Sequence, residues 1–380
     1  MVFSMAACSS SSGEETTPAT TPVEESGAVE TTAATDMKVA MITDYGDITD
    51  QSFNQTTYEA CQEFCDAEGL QFEYYKPAGD STAERVAMVD AAVADGYNVI
   101  VMPGYAFAEA IKETADMYPE TTFIALDVGE ADLGADYVVP SNVYCAVYQE
   151  ELCGYMAGYA AVKLGYTHLG FLGGMAVPAV QRYGYGFVQG ADAAAAELGN
   201  GADVTVEYVY GNQFFGDADI TAYMDNWYQT QGVEVVFACG GGIYTSAAEA
   251  AAKVGGKVIG VDVDQAAIID AYGEGMTVTS AMKGLANTTK HLLQETMDGN
   301  FANYGGQIES LGLVSGDDPT ANYVQLPIES TQWSDSFTQE DYAALVAGMF
   351  DGTITVSNDV TVAPADNASA ITVQAYDNIK

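Results

Sequence analysis

The feature that most constrains this chain is the regular alternation of short Val/Ile-rich runs with longer Ala-rich segments of helical period from residue 38 onward. Strands alternating with helices form βαβ units, whose strands pair into parallel sheets covered by helices. The pattern therefore predicts an α/β fold of doubly wound parallel sheets. The runs predict strands at 38–43, 71–75, 97–102, 122–126, 168–172, 204–210, 233–238, 257–261 and 276–279. The segments predict helices at 54–68, 83–95, 106–117, 148–164, 180–198, 219–230, 244–254 and 285–297.

These strands are too numerous for one comfortable sheet, so we expect two lobes with a cleft between them. The pattern restarts at Pro140-Ser141-Asn142, which predicts a crossover between lobes near 140–146, and a second crossover is expected near 262–280. The predicted first lobe is 36–142 plus about 270–310. The predicted second lobe is 143–265 plus about 311–380.

Residues 1–35 differ from the rest, because an acidic Thr/Pro/Ser/Ala stretch of this kind has too little apolar content to pack. We interpret it as a disordered linker. Small residues precede Cys8 and serines follow it, which resembles the lipobox of bacterial prolipoproteins and predicts a lipid on Cys8. Only Met1-Val2-Phe3 precede the box, so we expect the signal peptide to begin upstream. The alternative is an ordinary cysteine in a flexible tail.

Charge and cysteine spacing exclude several classes of function. The chain has 54 Asp and Glu against 11 Lys and Arg, a formal net charge of −43. Binding nucleic acid requires a basic surface, so a nucleic-acid partner is not expected. The 6 Cys and 2 His are scattered without Cys-x-x-Cys or a His pair, which argues against a metal site.

Ligands of open α/β sheets bind beyond the carboxyl ends of the strands. Carboxylates, glycines and aromatic residues dominate these positions here, and basic residues are almost absent. This composition favours a neutral, flat ligand with many hydrogen-bonding groups over a phosphate. The positions are Thr43-Asp44-Tyr45-Gly46, Pro103-Gly104-Tyr105, Asp127-Val128-Gly129, Gly173-Gly174-Met175, Gly211 to Phe215, Gly240-Gly241-Gly242 and Asp262 to Gln265.

Four motifs in order resemble those of the basic membrane protein family, the substrate-binding lipoproteins of nucleoside ABC transporters. The resemblance covers about residues 37–300 and weakens beyond about 310. The motifs are the segment from Thr43 to Gln55; Phe171 to Met175 with Pro178, Arg182, Tyr185-Gly186-Phe187 and Gly190; Ile259 to Gln265; and Thr279 to Lys283.

The resemblance implies a type I periplasmic-binding-protein fold, with two α/β lobes, hinge crossovers and a ligand clamped between the lobes. It also implies a monomeric, lipid-anchored protein outside the cytoplasm that delivers a purine nucleoside to a membrane permease without a cofactor. The implied ligand-binding positions are Asp44, Phe53, Asn54, Asp127, Phe215, Gly241, Asp262 and Lys283.

Seven of the eight implied positions have a role. Phe53 and Phe215 form the two walls of the base slot, although Phe214 is an alternative to Phe215. Asp127 reads the edge of the base. Asp262 and Lys283 hold the ribose hydroxyls, with Asp264 competing with Asp262, while Asp44 makes a polar contact and Gly241 brings backbone close to the ligand.

The chemistry of a purine suits these residue types. Its two π-faces stack on aromatic rings, which contributes about 1–3 kcal/mol per stacked base. A buried carboxylate accepts two N–H bonds from guanine and one each from hypoxanthine and adenine.

Other functions remain open from the sequence. A nucleoside hydrolase is one alternative, since the Asp-rich first motif offers oxygen ligands for calcium. Against it, the chain shows no nucleophile beside a base, so we expect a binding protein and not an enzyme. A surface sensor or a sugar-binding protein on the same fold is the other alternative.

Overall fold

The computed structural model describes residues 36–380, so the predicted linker and Cys8 lie outside the described residues. The described part has thirteen strands, and nine of them overlap the nine predicted ones. The strands are β1 (Lys38–Ile42), β2 (Gln71–Tyr75), β3 (Val99–Pro103), β4 (Thr122–Leu126), β5 (Val143–Tyr148), β6 (His168–Gly173), β7 (Thr205–Tyr210), β8 (Val235–Cys239), β9 (Lys257–Asp262), β10 (Thr277–Lys283), β11 (Gln307–Leu311), β12 (Val324–Gln325) and β13 (Thr372–Ala375).

Residues 36–380 also contain eleven α-helices, and eight of them overlap the predicted helices. None of the helices in this range is both long enough and apolar enough to cross a bilayer. The helices are α1 (Phe53–Glu68), α2 (Thr82–Ala94), α3 (Ala108–Thr114), α4 (Glu130–Leu133), α5 (Glu150–Lys163), α6 (Pro178–Leu198), α7 (Ala218–Asn226), α8 (Tyr244–Ala252), α9 (Ala266–Ile269), α10 (Leu285–Met297) and α11 (Gln339–Phe350).

The strands form two sheets, which confirms the predicted α/β class. The first sheet has the order β11-β5-β4-β3-β1-β2, and the second has the order β12-β10-β9-β8-β6-β7-β13. All neighbouring strands are parallel except β12, which runs antiparallel to β10. Central strands such as β3 and β8 are buried along their whole length, because helices cover both faces of a parallel sheet.

The predicted lobe boundaries are wrong at two strands. β5 belongs to the first sheet and β10 to the second, whereas the sequence placed each in the other lobe. The turn before β5 is anchored to the first lobe, because the Asn142 side-chain amide donates to the carbonyls of Ala115, Tyr118 and Thr121. The turn at 140–142 therefore lies within one lobe and is not a crossover.

The chain instead crosses between the sheets after β5, after β10 and after β11. Backbone hydrogen bonds hold the three crossing segments side by side: Gln149 N donates to Leu311 O at 2.9 Å, Gly284 N to Tyr323 O at 2.7 Å, and Tyr323 N to Gly312 O at 3.0 Å. This three-segment connection is the hinge between the lobes.

Helices α5 and α6 pack with their backbones in contact. A Cβ added at Gly154 or Gly158 of α5 would collide with a carbonyl of α6, at Tyr183 or Phe187 respectively. Glycine is required at such a close approach, because any side chain would separate the helices. The contact brings the first turn of α6 to the first turn of α5, next to the hinge.

Candidate ligand-binding site

A cavity of about 680 Å³ lies where the carboxyl ends of strands from the two sheets face each other. Its volume is within the range of small-molecule pockets. Every position that the family resemblance implied contributes to its lining: Asp44, Phe53, Asn54, Asp127, Phe215, Gly241, Asp262 and Lys283.

Lys283, the last residue of β10, lies at the centre of a buried charge cluster. Its Nζ is 2.6 Å from Asp127 Oδ2, 3.3 Å from Glu150 Oε1 and 3.8 Å from Asp262 Oδ1. Burial alone lowers the pKa of Lys283, but the charges of the three carboxylates outweigh it and raise the pKa above its usual value. The ammonium is therefore permanently charged and already neutralised by protein groups. We call Lys283, Asp127, Glu150, Asp262 and Arg182 the lysine cluster.

Arg182 extends this cluster from the first turn of α6. Its Nε donates to Glu150 Oε2 at 2.7 Å, and Glu151 Oε2 lies 4.0 Å away. Glu150 is fully buried, so each of its oxygens has a cationic partner. Burial, with the charge of Glu150, raises the pKa of Glu151 to about 7. Two cations, Lys283 at the end of β10 and Arg182 in the first turn of α6, thus compensate the carboxylates beside the hinge.

Two carboxylates of the cluster are carried on unusual backbone. Asp127 has φ 58° and Asp262 has φ 66°, both in the left-handed region. Such a conformation costs about 1–3 kcal/mol for a residue other than glycine, and it recurs at binding sites. The strain turns both side chains away from the strand direction and toward Lys283.

Asp262 is engaged by both lobes. Ser52 donates its hydroxyl to Asp262 Oδ2 at 2.6 Å, and the Tyr183 hydroxyl donates to Oδ1 at 3.3 Å. Asp264, the sequence alternative, is exposed, bonds Ser330 and does not line the cavity. Of the two aspartates, only Asp262 therefore lines the cavity.

The start of α1 is shaped by that contact. Because the Ser52 hydroxyl is directed at Asp262, the Asp50 carboxylate caps the helix and accepts from Asn54 N at 2.9 Å and Gln55 N at 3.1 Å. Phe53 and Asn54 in the first turn then face the cavity.

The structure does not support a calcium site at the Asp-rich first motif. Asp44 accepts from the backbone amides of Tyr45 and Gly46, while Asp47 pairs with Lys76. Residues 36–380 contain no group of three or more His, Cys, Asp or Glu side chains arranged to hold a metal ion.

Two buried acceptors, on residues that line the cavity, lack a donor. Asp127 Oδ1 and Asn54 Oδ1 are shielded from solvent and have no hydrogen-bond partner in the protein. Leaving such an atom unpaired costs about 1–3 kcal/mol, so buried acceptors are normally satisfied. A ligand that donates N–H or O–H groups at these two points would remove the cost.

The aromatic side chains of the cavity differ in how closely the protein packs around them. The Lys283 ammonium lies 4.8 Å from the ring centroid of Phe53 and covers one face of that ring. The ring of Phe214 is seated where a Cβ at Gly174 would collide with it. Phe215 is 60% exposed. Phe214 is thus fixed against backbone, whereas Phe215 is free to contact a ligand.

Several cavity or cluster residues were missed by sequence reasoning. Ser52 and Arg182 were noted only as parts of motifs, and Glu150 and Tyr183 were not considered at all. The available signal was the run Val143–Tyr148, because Glu150 follows it at a strand end. It was overlooked since that run was not recognised as a strand.

Comparisons with known proteins agree with this geometry. Residues 37–316 match the family model described as "ABC transporter substrate-binding protein PnrA-like". The chain is 28% identical over 300 residues to the ABC transporter nucleoside-binding protein BmpA of Lactococcus lactis, an alignment that covers 74% of this chain and 80% of that protein. It is 25% identical over 287 residues to basic membrane protein B of Borreliella afzelii, with 74% and 79% covered.

Solved structures share the fold. The ABC transporter solute-binding protein of Conexibacter woesei superposes with a TM-score of 0.65 at 22% identity, covering 85% of this chain and 99% of that one. A solute-binding protein of Aeropyrum pernix gives 0.63 at 23% identity, covering 85% and 88%. These likenesses confirm the periplasmic-binding-protein fold predicted from the sequence. Since the family model spans most of the chain, this protein belongs to the Bmp family of ABC transporter substrate-binding proteins, and the prediction that it is not an enzyme agrees with that membership.

Proposed function

We propose that this protein binds a purine nucleoside in the cavity between its lobes and delivers it to an ABC permease. The observation that carries the proposal is the buried, unpaired Oδ1 of Asp127, a residue that lines the cavity. An acceptor-only carboxylate in this position selects a ligand with N–H donors on one edge.

The edge of a purine base supplies those donors. Guanine offers N1–H and its 2-amino group to one carboxylate, while hypoxanthine and adenine offer one donor each. Asp127 Oδ2 already accepts from Lys283 at 2.6 Å, so Oδ1 and the second lone pair of Oδ2 are left for the ligand. Asn54 Oδ1 is a second acceptor for a base or ribose donor.

The faces of the base would be covered by Phe53 and Phe215. Lys283 occupies one face of Phe53, so the base would stack on the other face. Phe215 supplies exposed ring surface on the opposite lobe. Each stacked aromatic contributes about 1–3 kcal/mol.

The ribose would be held by the remaining positions. Asp262 accepts from Ser52 and Tyr183, but each carboxylate oxygen has a second lone pair for a hydroxyl. Lys283 can donate to the same hydroxyls. Asp44 and the backbone at Gly241, which has φ 51°, complete the polar lining.

The charge of the cavity favours a nucleoside over a nucleotide. Lys283 and Arg182 are both neutralised by carboxylates, so neither is free to receive a phosphate. A phosphate would meet uncompensated negative charge. The cavity is lined by Asp44, Asp47, Asp50, Asp127, Glu130, Asp132 and Asp262.

The relatives support the rest of the proposal. BmpA of Lactococcus lactis is named a nucleoside-binding protein, and the family is one of ABC transporters, which implies a permease partner. We further propose that a lipid on Cys8 anchors the protein to the membrane, facing outside the cytoplasm, and that it works as a monomer.

Titration calorimetry of the purified protein with guanosine, inosine, adenosine, ribose and guanosine 5′-monophosphate tests the proposal. We expect heat of binding from the three nucleosides and none from ribose or the monophosphate. Binding of ribose without binding of any nucleoside would contradict the proposal and favour a sugar-binding protein.

A further inference from the structure

The C-terminal segment adds an edge strand to the second lobe. β13 pairs in parallel with β7, in the register Thr372 to Thr205 through Ala375 to Tyr208. The segment lies beyond the family match at 37–316. Because parallel strands point the same way, the residues after β13 run toward the cavity edge of the sheet, beside the loop that follows β7.

Several contacts hold this segment in place. Asp192 of α6 accepts from the backbone amides of Ser369, Ala370 and Ile371. Beyond β13, Tyr376 N donates to Tyr208 O and Ile379 N to Tyr210 O, each at 2.9 Å. The C-terminal segment therefore runs beside β7 as far as Tyr210, the last residue of that strand, and reaches the β7–α7 loop.

At that point Lys380 meets the loop that carries Phe215. The Lys380 ammonium forms an ion pair with Asp217 and lies 3.6 Å from Asp219 Oδ2. Asp217 Oδ1 caps α7, and Asp217 Oδ2 accepts from Gln213 Nε2 at 2.9 Å. Gln213 Nε2 also donates to the carbonyl of Phe215 at 2.8 Å.

We propose that Lys380 is a positioning residue for the ligand site, acting through Asp217 and Gln213 to hold the exposed Phe215 ring toward the cavity. The proposal rests on the proposed function, because Phe215 is the wall of the base slot in the second lobe. On its other side the loop is fixed by Gly242 N, which donates to Phe214 O at 2.9 Å. Lys380 supplies the restraint on the outer side.

Holding the ring matters because Phe215 is 60% exposed and few packing contacts restrain it. A ligand that must order the loop as it binds loses affinity to the lost conformational freedom. An exposed ion pair has a small effect, so we expect its removal to weaken nucleoside binding about two- to fivefold.

The test combines two measurements on Lys380→Met, with Lys253→Met as the matched control. Lys253 pairs with Asp225 at 2.7 Å on the same lobe, and neither residue bonds the β7–α7 loop. Amide hydrogen exchange of the peptide 211–217 in the unliganded protein reports loop position without any ligand. Calorimetry with inosine reports affinity, and both are repeated for Lys380→Arg, which should retain the parent behaviour.

We expect Lys380→Met to speed exchange in 211–217 severalfold and to weaken inosine binding, and Lys253→Met to do neither. In a Phe215→Ala background, Lys380→Met should no longer change affinity, since the ring it positions is absent. Unchanged exchange in Lys380→Met, or an equal loss of affinity with and without Phe215, would overturn the proposal. If exchange responds but the parent binds no nucleoside, the proposed function fails and the positioning of the loop stands.

Discussion

The two sides of the cavity are built differently. The lysine cluster beside the hinge is buried, charged and held by ion pairs within the protein, with Lys283 only 3% exposed at its side chain. Across the cavity, Phe215 lies on a loop and is 60% exposed. The lysine cluster is therefore in place before a ligand binds, whereas the Phe215 ring still has exposed surface that a ligand can bury.

We expect the two sides to contribute differently to ligand binding. A desolvated carboxylate discriminates among ligands, because an unmatched buried polar group is costly. An aromatic ring is tolerant, since every base has a π-face. We therefore expect changes in the lysine cluster to alter stability and selectivity, and changes at Phe215 to alter affinity for all purine nucleosides alike.

The largest effect is expected from Lys283→Met. Removing the ammonium leaves Asp127 and Glu150 facing each other in a buried site without their shared cation. Breaking a buried ion pair in this way costs about 3–5 kcal/mol of the free energy of unfolding. Denaturant unfolding of the unliganded protein measures it.

Lys290→Met is the matched control, because Lys290 pairs with Glu63 at the surface with 41% of its side chain exposed. We expect that variant to lose less than about 1 kcal/mol. Equal losses in the two variants would show that the lysine cluster contributes no more to the free energy of unfolding than a surface ion pair does.

The next effect concerns pH. Burial raises the pKa of Glu151 from 4.5 to about 7, so the folded protein binds this proton more tightly than the unfolded chain does. The free energy of unfolding then falls as pH rises from about 4.5 to about 7. Glu151→Gln removes this titration and should reduce that fall by roughly 3 kcal/mol.

Unfolding curves of parent and variant at pH 5 and pH 8 measure the difference. Asp44, Asp50 and Asp127 also have raised pKa values through burial, so Glu151→Gln keeps part of the fall in stability with pH. Glu130→Gln, at an exposed position, should behave as the parent does. A Glu151→Gln curve parallel to the parent's would contradict the assignment.

Much of the fold and the cavity lining follows from local sequence. Strands such as β3 and β8 are continuous apolar runs, and the residues after them lie at the carboxyl edge as expected. The lobe boundaries could not be predicted in this way, because the local sequence of β5 or β10 does not indicate which of the two sheets the strand joins. Their placement depends on long-range contacts such as Asn142 with Ala115 and Thr121.

The lysine cluster was also beyond local sequence. Lys283, Glu150 and Arg182 come from three elements that meet only at the hinge, and no spacing relates them. The contribution of Lys380 depends in the same way on β13 pairing with β7, which the polar C-terminal sequence does not signal.

A smaller effect is expected from Asp127→Asn, which replaces an acceptor-only group with one that presents an NH₂. Guanosine offers it two donors and inosine one, so guanosine should lose about 1.5–3 kcal/mol more binding free energy than inosine. Calorimetry with both ligands gives the difference directly.

Glu130→Gln serves as the control, since Glu130 lines the cavity but is exposed. An equal loss for guanosine and inosine in Asp127→Asn would indicate a structural role for Asp127. It would remove the proposed reading of the base edge.

The smallest effect is expected from Phe215→Ala. Losing one stacked ring should cost about 1–3 kcal/mol for guanosine, inosine and adenosine alike, with little change in melting temperature because the ring is 60% exposed. Phe350→Ala, also exposed at 50%, is the control away from the cavity. A loss confined to one nucleoside would contradict the tolerant role assigned to this wall.

A crystal structure of the protein with guanosine tests the central claim most directly. We predict the base between Phe53 and Phe215, its N1–H and 2-amino group directed at the Asp127 carboxylate, and the ribose against Asp262 and Lys283. Density for the ribose beside Asp127, or for a base that contacts neither phenylalanine, would contradict the account.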